Sequence, residues 1–133
     1  MRHCQTNLKF LRSIVMAIDP AAIEEYREVL GDEFAVFFAD LIDDFFVSGP
    51  AMVQDLKNAL TSNDVELFTR AAHTMKSNCK TFGAYEFADY AFELEKIGDS
   101  KNISGATERV AALENAFQEL LVDLQQLRAS LEG

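Results

Sequence analysis

Residues 71–84 read Ala71-Ala72-His73-Thr74-Met75-Lys76-Ser77-Asn78-Cys79-Lys80-Thr81-Phe82-Gly83-Ala84, and the spacing of the apolar members decides what this stretch becomes. Helix positions three, four and seven apart share a face. Phe68, Ala71, Ala72, Met75, Cys79 and Phe82 therefore form one apolar stripe, and Glu66, Arg70, His73, Lys76, Ser77 and Lys80 form the opposite one. The pattern predicts an amphipathic helix from about Asp64 to Phe82, closed by Gly83 in the left-handed conformation. His73 then faces water. No carboxylate lies between Glu66 and Glu86, in a chain with 22 acidic and 12 basic residues. Along its own helix the histidine sits in an island of positive charge made by Arg70, Lys76 and Lys80.

The flanking segments carry the same helical period. Asp19 is a good N-cap with Pro20 at the first helical position, and Ile23, Tyr26, Val29 and Leu30 give a short helix one apolar face before Gly31 ends it. Asp32 is expected to cap a longer helix carrying Phe34, Phe37, Phe38, Leu41, Ile42, Phe45 and Phe46. Ser48-Gly49-Pro50 interrupts the pattern because proline removes a backbone donor, yet Met52, Val53, Leu56 and Leu60 resume it at once. One kinked helix is predicted there, followed by a Thr61-Ser62-Asn63 loop with Asn63 as a cap. After the histidine helix, Phe87, Ala91 and Leu94 define a helix from Ala84 to Ile97, with Gly98 as its end. Ser104 is expected to begin the last helix, in which Val110, Leu113, Phe117, Leu120, Leu124, Leu127 and Leu131 step by three and four, the seam of a left-handed bundle. Helices joined by short loops lie antiparallel. The expected fold is all-α, an up-down-up-down four-helix bundle over 18–133 with a short additional N-terminal helix at one end.

Length and charge narrow the function. A chain of 133 residues is one domain of ordinary size, and its net charge of −10 repels phosphate backbones and anionic membranes. Nucleic acid is not an expected partner. Cys4 and Cys79 form no Cys-x-x-Cys pair, so neither a disulfide framework nor a zinc site is indicated, and no apolar run reaches membrane-spanning length. A soluble cytoplasmic monomer is expected. Residues 1–17 differ from the rest: they hold Arg2, Lys9 and Arg12, no acid, and Leu8, Leu11 and Val15 at helical spacing beside Phe10 and Ile14. They read as a basic amphipathic segment or linker laid on the bundle, with membrane-surface binding as the lesser alternative.

An exposed imidazole with an ordinary pKa of about 6.5 is mostly neutral near pH 7 and needs no separate base to act as a nucleophile. It can attack the phosphorus of an acyl phosphate, and the phosphohistidine formed is reactive enough to pass the group on. Phosphoryl transfer rests on positioning and on neutralising charge, and Lys76, one turn after His73, is where a cation could meet the phosphoryl oxygens. No nucleotide-binding glycine loop is present. The other histidine is His3, so no histidine pair suggests a metal site.

Ala72, His73, Thr74, Lys76, Ser77, Phe82, Gly83 and Ala84 together match the phosphoacceptor pattern of histidine-containing phosphotransfer (HPt) domains, with Met75 where the family prefers leucine and Ser77 where many members have glycine. The chain resembles that family over about residues 18 to 130, including Ile18-Asp19-Pro20, Leu30-Gly31-Asp32, Pro50 and Leu94-Glu95. The resemblance implies a phosphorelay carrier with His73 as phosphoacceptor, Lys76 as the neutralising cation and Gly83 as part of the structural motif. Glu95 either orients the imidazole through its other nitrogen or merely pairs with a surface lysine. Arg70 and Lys80 are expected to add charge, and Thr69, Arg70, Ser77 and Lys80 to form the docking surface. The implied partners are receiver domains and a hybrid histidine kinase; the magnesium ion belongs to the receiver, and no cofactor or metal of its own is expected. The alternatives are a helical module that docks receivers without transfer, or the phosphoacceptor domain excised from a larger histidine kinase. Cys79 reads as core rather than redox-active, and Asp43-Asp44 as a solvated edge.

Overall fold

The computed structural model describes residues 18–132. The Asp19 carboxylate accepts the Ala21 N–H at 2.9 Å, and Pro20 opens α1, Pro20–Leu30. Gly31 stops it with φ of 56°. A 3-10 turn, Gly31–Glu33, leads straight into α2, Phe34–Ser62. Asp32 does not cap α2, contrary to the expectation: Glu33 is already right-handed, with φ −86° and ψ −7°, so the chain enters α2 through the turn and no side chain caps it. The helix continues through Pro50 as one element, and the proline ring lies on its exposed side.

α2 runs on through Thr61 and Ser62, where the sequence predicts a loop. Asn63, left-handed at φ 54°, closes it, and the Asp64 carboxylate accepts the Leu67 N–H to start α3, Val65–Thr81. At the far end Gly83 has φ 77°, and the Ala84 N–H returns to the Cys79 carbonyl at 2.8 Å. α4 covers Tyr85–Asp99 and α5 covers Thr107–Glu132. Two expectations change here. Gly98 lies inside α4 rather than ending it. Ser104 belongs to the loop, because the Asn102 side chain accepts both its N–H and its hydroxyl, at 3.2 and 2.7 Å, and α5 begins three residues later.

α2, α3, α4 and α5 form an up-down-up-down four-helix bundle in which each helix packs on two neighbours in ring order. Among the described residues there is no strand. α1 is tied to the α3–α4 turn by the Asp19 N–H, which donates to the Gly83 carbonyl at 2.8 Å. The apolar stripes converge on one core in which Phe38, Phe45, Phe68, Phe117, Leu56, Met75 and Leu94 are fully buried. Phe45 meets Phe82 and Phe117 edge-on, with centroids 5.2 and 5.9 Å away, a geometry aromatic pairs favour. Cys79 is buried in this core, and burial pushes its thiol far above the usual range, so it packs as a small apolar side chain. Asp43 is exposed but tied down: Arg128 of α5 grips its two oxygens at 3.0 and 3.2 Å. No helix among the described residues is long and apolar enough to cross a membrane.

Gly83 joins two constraints, a positive φ and a close approach, since a Cβ there would lie 2.7 Å from the Cβ of Ala22. Gly83→Ala is expected to lower unfolding free energy by about 2 kcal/mol through backbone strain and overlap. Thermal and urea melts of the two proteins measure it.

Candidate functional site

α3 and α4 make the most extensive pair in the bundle, and small residues allow it. Ala71 and Ala72 on α3 and Ala88, Ala91 and Gly98 on α4 are all buried. At Gly98 the approach is closest: a methyl group built there would overlap the Thr69 hydroxyl and lie 3.0 Å from the Thr69 Cβ and 3.2 Å from its Cα. Because the helices are antiparallel, one turn beyond Thr69 on α3 faces one turn before Gly98 on α4. That step brings His73 opposite Glu95.

The carboxylate of Glu95 is divided between two partners. Its Oε2 lies 2.6 Å from His73 Nδ1, and its Oε1 accepts from Lys76 Nζ at 2.6 Å. Burial alone would raise the Glu95 pKa, but the hydrogen bonds from Lys76 and His73, with their charges, outweigh it and hold the group below the usual glutamate range. At neutral pH Glu95 is therefore a carboxylate, which can only accept. Nδ1 must be the ring's donor, so in the neutral imidazole the free lone pair is on Nε2. No partner engages Nε2 among the described residues. The His73 side chain is 57% exposed, whereas Glu95 and Lys76 are 14% and 18% exposed: the imidazole stands out and the two side chains behind it are sunk.

Lys76 differs from the free cation pictured from the sequence. Its ammonium is already paired with Glu95 and lies 4.9 Å from the centroid of the Phe92 ring, while Lys96 lies 4.8 Å from the same ring. The positive island along α3 is thus partly neutralised by a carboxylate arriving from α4. Glu95 touches the imidazole with one oxygen and a lysine with the other, and that lysine is largely buried. Arg70, Ser77 and Lys80 are exposed, and neither Arg70 nor Lys80 enters an ion pair among the described residues. Thr69 is half-buried with its hydroxyl on the Val65 carbonyl at 2.8 Å. An open cleft runs from His73 past Arg70 and Thr69 toward Asp64 and Lys101. No group of three or more His, Cys, Asp and Glu side chains gathers as a metal-ligand set among the described residues.

Two contributors were missed in the sequence. A glycine after an apolar run signals a helix stop at Gly98, although Ala91, Leu94 and Gly98 continue one stripe at steps of three and four. Phe92 lies off that stripe; its one signal was its place four residues before Lys96.

An antiparallel helical bundle with an outward histidine is the architecture that the comparisons with known proteins identify. Residues 40–132 match the model of the Hpt domain family, and the chain belongs to that family. The fold is also similar to the crystal structure of histidine-containing phosphotransfer protein B (HptB) from Pseudomonas aeruginosa PAO1, with a TM-score of 0.75 and 24% identity over 86% of this chain and 96% of that one. No curated protein matches the sequence.

Glu95→Gln is expected to lower the melting temperature at pH 7. A folded pKa below the ordinary value means that the stabilising contribution is complete above that ordinary value, about 4.3, and is lost as pH falls through the folded one. The difference between the two proteins should therefore close in acid, as melts across that range would show. Gly98→Ala is expected to force α4 away from α3 at a cost of about 1–3 kcal/mol and to let the Nε2–H tautomer of His73 appear in nitrogen NMR spectra, whereas Thr69→Ala leaves the tautomer as it is.

Proposed function

We propose that this protein is a phosphoryl carrier of a two-component phosphorelay, accepting a phosphoryl group on His73 from the aspartyl phosphate of one receiver domain and passing it to the aspartate of another. The observation that carries this is the bond between Glu95 and Nδ1 of an exposed imidazole. It directs the lone pair of Nε2 outward. In the forward step the Nε2–P bond forms as the P–O bond to the receiver aspartate breaks; the aspartate leaves as a carboxylate, and Nδ1 keeps its proton. Glu95 then faces the cationic ring of the phosphohistidine. Reversal of the same step delivers the group to the next aspartate.

Lys76 serves as the neutralising cation in this account. An ammonium has three donors, so it can keep Glu95 and still offer a proton to a phosphoryl oxygen. Arg70 and Lys80, exposed on the same helix, lend charge to the encounter with an acidic receiver pocket, an effect on association rate more than on affinity. Thr69 and Ser77 complete the docking surface. The receiver brings the magnesium ion and its own carboxylates, so this chain acts as a cytoplasmic carrier, with a hybrid histidine kinase upstream, rather than as a kinase or phosphatase.

Incubation with a panel of phosphorylated receivers tests the proposal. Acid-labile, alkali-stable label should appear on the native protein and be absent from His73→Gln. Lys76→Ala should slow labelling about 10- to 1000-fold, the range for losing one electrostatic stabiliser, and shorten the phosphohistidine lifetime. Receivers that bind the native protein yet never label it would leave only a docking module.

A further inference from the structure

The cleft beside His73 has a far rim that the transfer chemistry does not use. Lys101 stands there, beyond the close contact of Thr69 with Gly98 and just after the end of α4. Its φ is 70°, in the left-handed region. The Lys101 N–H donates to the Gly98 carbonyl at 3.0 Å, and the Ser100 hydroxyl donates to the Ile97 carbonyl at 2.6 Å while accepting the Asn102 N–H at 3.4 Å. The turn sends the chain back so that Ile103 and Ala106 are buried. Glycine is the usual residue at this place in a helix end, because a Cβ is strained at positive φ. Asn63, the other described non-glycine residue with positive φ, is of a type that tolerates it. A lysine is not.

The fold makes no use of the lysine side chain in return. The lysines that form ion pairs among the described residues are Lys57, Lys76 and Lys96; Lys101 is exposed and outside every such pair. The acids of the cleft are placed differently. Asp64 caps α3 and Glu66 lies in its first turn, where a helix favours negative charge, while Asp99 ends α4. Arg70 and Lys101 are thus cations outside any pair on a rim of mixed sign, and a mixed rim selects a partner by the register of its charges more than by net attraction. A strained residue whose side chain serves no internal contact argues for a contact made outside the chain. Lys101 comes six residues after Glu95, about 9 Å farther along the α4 axis. That station suits a partner's surface rather than the phosphoryl group, which Lys76 already serves.

We propose that Lys101 is a specificity-determining docking residue: with the receiver's aspartate over His73, the cleft takes the neighbouring surface of the receiver, and Lys101 meets a carboxylate on it. The assignment rests on the reading of His73 as a phosphoryl carrier. Lys101→Gly in the full chain tests it, because stability and transfer should move in opposite directions. Relief of strain should raise the melting temperature by about 2–4 °C. For the receiver that labels the native protein fastest, kcat/KM should fall about 3- to 10-fold at low ionic strength, through KM, and the loss should shrink as salt is added. Lys101→Arg restores the charge without relieving the backbone, so it should transfer as the native protein does and melt no higher. Undiminished transfer by Lys101→Gly overturns the proposal, as does a melting temperature that fails to rise, since the lysine would then serve the fold. An equal loss with phosphoramidate as donor overturns it too, because a donor without a docking surface cannot sense the rim. Native protein that phosphoramidate labels and no receiver does would instead sink the carrier reading, and this assignment with it.

Discussion

Glu95 reaches both His73 and Lys76 only because nothing larger than a hydrogen atom separates α4 from α3 at Gly98. Interhelical distance is set by the side chains at the contact, and here the contact is a glycine on a threonine whose hydroxyl is already turned back to its own helix. A carboxylate side chain is short. Were the two helices to stand apart by the width of a methyl group, 2.6 Å bonds to two different side chains on α3 would not form together. Packing one turn away from the imidazole therefore determines which ring nitrogen holds the proton, and hence which one can act as a nucleophile.

The outward histidine and the inward cysteine were legible because they depend only on the phase of one helix: His73 and Cys79 are six residues apart and fall on opposite faces. Helix ends were less legible. Asp32 and Ser104 are residue types that start helices, but a 3-10 turn took over at one and the Asn102 side chain at the other. Gly98 was misread for a related reason. A glycine after an apolar run signals a stop locally, whereas here its value lies in what it lets approach from another helix. The link between Glu95, His73 and Lys76 needs the register between two helices, which no spacing within either one contains.

The supports of the imidazole are also restrained from the side facing away from it. Lys76 is held between the Glu95 carboxylate and the Phe92 ring, and Lys96 on the same ring pairs with Glu93, which also meets Arg109 of α5. Each exposed pair contributes little to stability. Together they reduce the conformations open to a long lysine side chain. A cation placed beforehand costs less reorganisation when negative charge arrives, and such preorganisation is the main electrostatic means of favouring transfer.

Charge balance explains why such a site would pass a phosphoryl group on rather than keep it. At rest, Glu95 and Lys76 cancel. With a phosphoryl group on Nε2, as proposed, the ring gains a positive charge that Glu95 meets, and the phosphoryl group carries about two negative charges, of which Lys76 offsets one. The remaining negative charge sits on the most exposed part of the site, with Arg70 and Lys80 on the same helix and water around it. A buried second cation would lower the energy of the phosphorylated state further and slow its release. In the proposed cycle, leaving that charge to solvent and to a partner's metal would make the phosphohistidine stable enough to form and still able to react in either direction.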